Sequence, residues 1–382
     1  MKKIVGKIKP FFGLFISAVF ISISLISFYS YADASYHFSN YKGMPPIHEL
    51  GGASKSPVGM TPSEIKKIYN LPATGGHGTI VIVGAYNDTT IESDLATFNK
   101  TFNLPACTTA NGCFTKHTMS NNIKSNSGWT METSLDVEWA HAIAPQAKIL
   151  LVEAATQSGA NLLKAVDYAA SVKDASAISM SWGGGEFPEE TTLDSHFVSA
   201  SGAPFFASSG DSGAGASWPA SSPNVIGVGG TTVSMSGGTF KSESAWSGSG
   251  GGVSQYEKEP SFQKGYSIPK ANGMRAIPDV AYDANPSSGF PIYVKGAWHT
   301  VGGTSAGAPQ WAAIASLSGG NPSEGRAGIT NAQLYADKST GNNANYFRDI
   351  TGGTNGSCGY FCTARAHYDY VTGLGSPQTS SF

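Results

Sequence analysis

Between residues 78 and 230, short apolar runs alternate with amphipathic stretches of helical spacing. GTIVIVGAY (78–86), AKILLVEA (147–154), ASAISMSWG (175–183), PFFASSGD (204–211) and NVIGVGG (224–230) read as strands. ESDLATFNKTF (92–102), TSLDVEWAHAIA (133–144) and NLLKAVDYAASV (161–172) read as helices. This alternation predicts an α/β fold, a parallel sheet with helices on both faces. Ligand sites in such sheets gather at the carboxyl ends of strands, which here carry Ser181-Trp182-Gly183-Gly184 and Ser209-Gly210-Asp211-Ser212-Gly213. From about Val233 to Gly303 the pattern turns more β-like and glycine-rich, and SGSGGGVS (247–254) reads as a flexible loop. No internal repeat is visible.

The first 34 residues follow another pattern. Lysines at 2, 3, 7 and 9 precede an apolar run from Phe11 to Phe28 and then Ala32-Asp33-Ala34, the order of a secretory signal cleaved after Ala34. The run is also long enough for an uncleaved anchor, whereas no later stretch could span a bilayer. The expected layout is a signal peptide over 1–34, a short N-terminal segment over 35–58, and one large domain over 59–382. Such a chain is secreted, extracellular or periplasmic, with no membrane partner after cleavage. A composition of 40% hydrophobic and 13% charged residues suits a globular domain. Four lysines and Asp33 leave with the leader, so 20 basic residues stand against 25 acidic ones, a net charge of −5 that gives no footprint for nucleic acid. Few charges also mean few ion pairs to lose in acid. Cys107/Cys113 and Cys358/Cys362 form two tight pairs. Three pairings are possible, and two local disulfides are the simplest in an exported protein. The competing zinc site is disfavoured by the C-x5-C and C-x3-C spacings with no paired histidines nearby.

Candidate chemistry begins at GGTSAGAP (302–309), where small residues flank Ser305 at the passage from a strand-like run to a helix-like one. An exposed nucleophile needs that setting, and it needs a base. His77 stands in an HGT segment but precedes a strand and lacks an accompanying Asp-Ser/Thr-Gly, so it reads as a loop residue. GTSAG also fits G-x-S-x-G, with Asp349 and His367 following in the order of an α/β-hydrolase esterase. Little chain remains after Ser305 to build the strands of that fold. GDSG (210–213) is like the nucleophile segment of chymotrypsin-like proteases, but the α/β alternation argues against a double β-barrel. The better base is acidic. In WTMETSLDVEWAHAIAP, Glu132 and Asp136 are four residues apart, within roughly 40° of one another on a helix. Two carboxylates on one face can share a proton, leaving one of them competent as a base at low pH. His141, nine residues beyond Glu132, projects to the opposite face, packed or solvated.

Glu132-x-x-x-Asp136, SSGDSG (208–213) and GGTSAGAP together resemble motifs of the sedolisins, the serine-carboxyl peptidases built on a subtilisin-like fold. The resemblance extends from GMTPSEIKKIYNLP (59–72) through RAIPDVAYDANPSSGFPIYV (275–294) to TGLGSP (372–377). It implies a parallel sheet of about seven strands and an acid-acting endopeptidase that takes protein or peptide substrates as a monomer. Ser305 is then the nucleophile, Glu132 accepts its proton, Asp136 orients Glu132, and a protonated Asp211 joins the Ser305 N–H in holding the oxyanion. ISMSWGGG (178–185) resembles the edge that pairs with substrate backbone, making Ser181, Trp182 and Gly183 substrate-binding candidates. RDITGGTNGS (348–357) and HYDYVTGLGSP (367–377) resemble the family's calcium site, with Asp349 and Asp369 carboxylates and the carbonyls of Ile350, Arg365 and His367 around Ca²⁺. The family usually has glycines where Arg365 and His367 stand, so the turn conformation there is open. Sedolisins also usually carry a long prodomain, in whose place only a short segment is expected here. A decayed peptidase fold serving as a binding protein is the non-enzymatic alternative, disfavoured by the presence of Ser305, Glu132, Asp136 and Asp211.

Overall fold

The apolar run TIVIVGA forms a strand, Thr79–Ala85, with every residue buried, because helices cover both of its faces. In the computed structural model, which describes residues 37–319, 329–336 and 343–379, it lies near the middle of an eight-stranded sheet. The predicted leader lies outside the described residues, all of which fall in one compact unit, Ser35–Phe382.

Numbered in chain order, the strands used below are β1 (His48–Glu49), β2 (Thr79–Ala85), β3 (Phe114–Thr118), β4 (Lys148–Ala154), β5 (Ala175–Met180), β6 (Phe205–Ser208), β7 (Val225–Ser236), β8 (Thr239–Ala245), β9 (Val280–Asp283), β10 (Phe290–Val294) and β11 (Ala297–Gly302). The helices are α1 (Ile91–Phe102), α2 (Ser127–Ile143), α3 (Gly159–Ala170) and α4 (Gly307–Leu317). Seven strands run parallel in the order β9-β7-β6-β5-β2-β4-β3, and β8 folds back antiparallel on the outer half of β7. These are the parallel sheet and flanking helices of the predicted α/β fold.

Alternate residues of β2 show why both faces must be apolar. Ile80 and Ile82 pack into one core with Leu135 and Trp139 of α2 and Trp311 of α4. Val81 and Val83 pack into the other with Leu162 and Val166 of α3. Helix α2 is started by Asn126, whose side chain accepts from the Trp129 N–H at 3.2 Å, and from Glu132 to Ile143 every one of its residues is buried. A helix enclosed on all sides carries its carboxylates into the core. The segment 247–254 differs from expectation: Gly250 N–H donates to the Gly210 carbonyl at 2.7 Å and Ser249 Oγ to the Val371 carbonyl at 2.8 Å, so this glycine-rich loop is tied down.

Candidate active site

Three elements converge at the carboxyl ends of β5 and β6. Helix α2 brings Glu132 and Asp136, the chain after β5 brings Ser181, and the short 3₁₀ turn Thr304–Ala306 between β11 and α4 brings Ser305. Exposure is 1% for Glu132 and Asp136 and 0% for Ser305. Removal from water pushes Glu132 well above the ordinary carboxyl range, and the neighbouring Asp136 charge adds to this while the Ser305 hydroxyl opposes it. Burial also raises Asp136, opposed by hydrogen bonding from Ser181 and by Glu132. Each carboxylate thus faces one hydroxyl that favours its ionised form. Neither Glu132 oxygen nor Ser305 Oγ has a hydrogen bond of standard geometry, although the Ser305 hydroxyl is near enough to act on Glu132.

Asp211 follows β6 and reaches under the Thr304–Ala306 turn. Its Oδ1 accepts from the Thr304 N–H and Thr304 Oγ1, both at 2.8 Å, and its Oδ2 lies 3.1 Å from His48 Nε2. Burial raises the Asp211 pKa, against the pull of His48 and Thr304. Residue 303 has to be glycine: φ is +129°, and a β-carbon there would stand 2.1 Å from the Pro46 carbonyl oxygen and 2.5 Å from Asp211 Oδ2.

His48 and Pro46 belong to a segment that sequence reasoning did not place at the site. Residues 42–49 run across the cleft as a strap. Lys42 bridges Ser158, Met44 and Gly183 exchange both backbone hydrogen bonds at 2.9 and 3.1 Å, and β1 pairs antiparallel with Val301 and Gly302 of β11. One end is anchored by Tyr41, whose hydroxyl donates to the Trp218 carbonyl at 2.7 Å, and the other by Glu49 on His299 at 2.6 Å. The strap walls a cleft of about 470 Å³ whose remaining lining is mostly glycine, alanine and serine of 183–185 and 209–217. The only sequence signal for it is Pro45-Pro46, which holds the chain extended.

The substrate-binding candidates divide. Gly183 offers its backbone edge, already taken by Met44. The side chains of Ser181 and Trp182 point inward instead: Ser181 Oγ donates to Asp136 Oδ1 at 2.6 Å, and Trp182 Nε1 donates to the Val83 carbonyl at 3.0 Å from a fully buried ring. His77 is an exposed loop residue, and His141 is buried with Nε2 against the Pro105 carbonyl at 3.0 Å. The esterase arrangement is not formed, since exposed His367 and Asp349 meet each other through the His367 N–H at 2.9 Å while Ser305 is buried. Both local disulfides, Cys107–Cys113 and Cys358–Cys362, are present.

The C-terminal loop gathers the oxygen-rich residues. The Arg365 N–H donates to Asp369 Oδ2 at 3.2 Å, and Asp369 Oδ1 accepts from the N–H groups of Val371 and Thr372 at 2.8 and 2.9 Å. His367 adopts φ +67°, so the turn is kept without glycine, and the Arg365 guanidinium lies 3.9 Å over the Tyr360 ring. Among the described residues no hydrogen bond reaches the carbonyls of Ile350, Arg365 or His367. Two carboxylates and three uncommitted carbonyls on one loop are a donor set that fits a hard cation.

The subtilase family pattern matches residues 60–339. The chain belongs to the subtilase family. Its sedolisin branch supplies the curated relatives. Kumamolisin of Bacillus sp. (strain MN-32) is 30% identical, over 89% of this chain and 66% of its own length, and sedolisin of Pseudomonas sp. (strain 101) is 28% identical, over 85% and 60%. The chain therefore spans about two thirds or less of these subtilases. The structure of Pseudomonas sedolisin complexed with two molecules of pseudo-iodotyrostatin superposes with a TM-score of 0.71 at 28% identity, covering 85% of this chain and 96% of that one. Sphericase, at 21% identity and a TM-score of 0.53, shares the fold.

Proposed function

We propose that the chain is a secreted serine-carboxyl endopeptidase that acts on protein or peptide substrates in acid. The observation that carries this reading is the convergence of Ser305 on a buried Glu132–Asp136 pair, with Asp211 beneath the same turn. Ser305 Oγ attacks the scissile carbonyl while Glu132 takes its proton, and the shared proton of the carboxyl pair is redistributed toward Asp136. The oxyanion is held by the Ser305 N–H and by Asp211 Oδ2 in its protonated form. Burial favours that form, and His48 opposes it. The strap accordingly holds Asp211 as an acceptor, and the donor role requires its withdrawal. While the pair holds a single proton between its two members, the other carboxylate is left to act as the base.

The C-terminal loop would hold Ca²⁺ through Asp349, Asp369 and the carbonyls of Ile350, Arg365 and His367. The ion would serve structure, fixing the loop. Support comes from the uncommitted carbonyls and the retained turn at His367.

The test is cleavage of a denatured protein by the exported chain from about pH 3 to 8 with calcium supplied, beside Ser305→Ala and Glu132→Gln. An acid-confined activity lost in both variants is expected. Activity that persists in Glu132→Gln would remove the carboxyl base from the mechanism.

A further inference from the structure

Ser181 lies between two acceptors. Its hydroxyl reaches Asp136 Oδ1 at 2.6 Å and the backbone carbonyl of Ser305 at 3.1 Å, and the residue is 1% exposed. A serine hydroxyl has one hydrogen to give. It therefore serves the carboxylate or the nucleophile's carbonyl, and the choice depends on where the protons of the pair reside. When Asp136 is ionised, the charged acceptor takes the hydrogen, because hydrogen bonds to charged groups are the stronger ones. When Asp136 is protonated, it can itself donate to Ser181 Oγ, freeing the Ser181 hydrogen for the Ser305 carbonyl.

We infer that Ser181 is a positioning residue whose hydroxyl links the protonation of the Glu132–Asp136 pair to the backbone of the Ser305 turn. The inference about catalysis rests on the function proposed above; the link itself rests on the geometry. On that reading, proton transfer from Ser305 to the pair and reorientation of Ser181 are one concerted adjustment: the pair gains a proton, Asp136 no longer needs a donor, and the turn holding the oxyanion N–H gains one. On β4, Glu153 faces Asp88 and Lys116 and not the pair. The titratable side chains acting on the pair are Glu132, Asp136 and Asp211, the last paired with His48. On the rest of α2, Asp88 and Asp94 act on Glu138, and Lys66 acts on His141. Strands β2 and β5 and helix α4 contribute no ionisable side chain to this face.

Two measurements on the full exported chain test it. Unfolding midpoints from about pH 3 to 10 are compared for wild type, Ser181→Ala, Asp136→Asn and the double variant. Burial raises Asp136 to about 8 in the fold, so it stays protonated there while its unfolded form ionises, and the Ser181 bond to the carboxylate counts only as pH reaches the folded value. The Ser181→Ala deficit should therefore grow as pH passes about 8 and become pH-independent in the Asp136→Asn background. In kcat/KM profiles the acid limb should move up by about one pH unit in Ser181→Ala and return in Ser181→Thr. A deficit equal at all pH values in both backgrounds, or a uniform loss of kcat with the limb unmoved, would overturn the link. Absence of cleavage at every pH would count against the enzymatic reading alone, since the unfolding measurement needs no turnover.

Discussion

Ser305, Glu132 and Asp136 occupy less than 2% exposed positions, so a change at any of them has two separable effects. On the proposed function, Ser305→Ala and Glu132→Gln should each lower kcat/KM by at least about 10³-fold, because a nucleophile and its base act as a unit. Their stabilities should part company. Glu132 is held above its ordinary pKa by burial, so its contribution is intact below about pH 4.5 and is lost as pH rises. Glu132→Gln should therefore unfold a few degrees higher than wild type at pH 7 and at nearly the same temperature at pH 3.5, as differential scanning calorimetry would show. At this scale the sequence singled out Ser305, the four-residue spacing of Glu132 and Asp136, and Asp211, and the fold brings these residues to one place. Ser181 and Thr304 were not read for what they do, because a hydroxyl's role depends on which acceptors the fold brings beside it.

The elements were legible wherever periodicity is strong. β2, β4 and β5 were apparent as short apolar runs, and α2 as a helix whose register puts both carboxylates on one face. The strap was not, since β1 is two exposed residues and its pairing partners lie more than 250 positions away in β11. Its hold has a defined pH window. The His48–Asp211 pair is charged only while Asp211 is ionised and His48 protonated, and both pKa values are raised. Acidification neutralises Asp211 and loosens the strap; rising pH discharges His48. Met44→Pro, which removes the N–H donated to Gly183, should free the cleft and raise cleavage of a short peptide several-fold. Equal rates for Met44→Pro and wild type would mean that the strap is already displaced in solution.

Among the described residues, buried carboxyl groups outnumber the buried basic side chains Lys66, Arg275 and His141. Burial raises Glu153 to about 7, Glu257 to about 8 and Glu190 to about 9, the last two helped by neighbouring acids. Each contributes stability below its unfolded pKa and loses it as pH climbs to these values, so the unfolding midpoint should fall steadily from about pH 4.5 to 9. The low charge content pointed to acid tolerance, but which acids are buried could be learned only from packing. At the C-terminal loop, calcium should raise the midpoint in wild type and have little effect in Asp369→Asn, with chelation reversing the gain.

The strap also alters what any binding experiment on the intact chain measures. A segment held in cis competes at the effective concentration of a tethered ligand, on the order of millimolar for a short tether. An added peptide then shows an apparent dissociation constant larger than its intrinsic one by the reciprocal of the open fraction. Affinities ranked on the intact chain would order ligands by their capacity to displace residues 42–49 from Gly183 and Gly302, and the intrinsic preference of the cleft would emerge only once that internal competitor is gone.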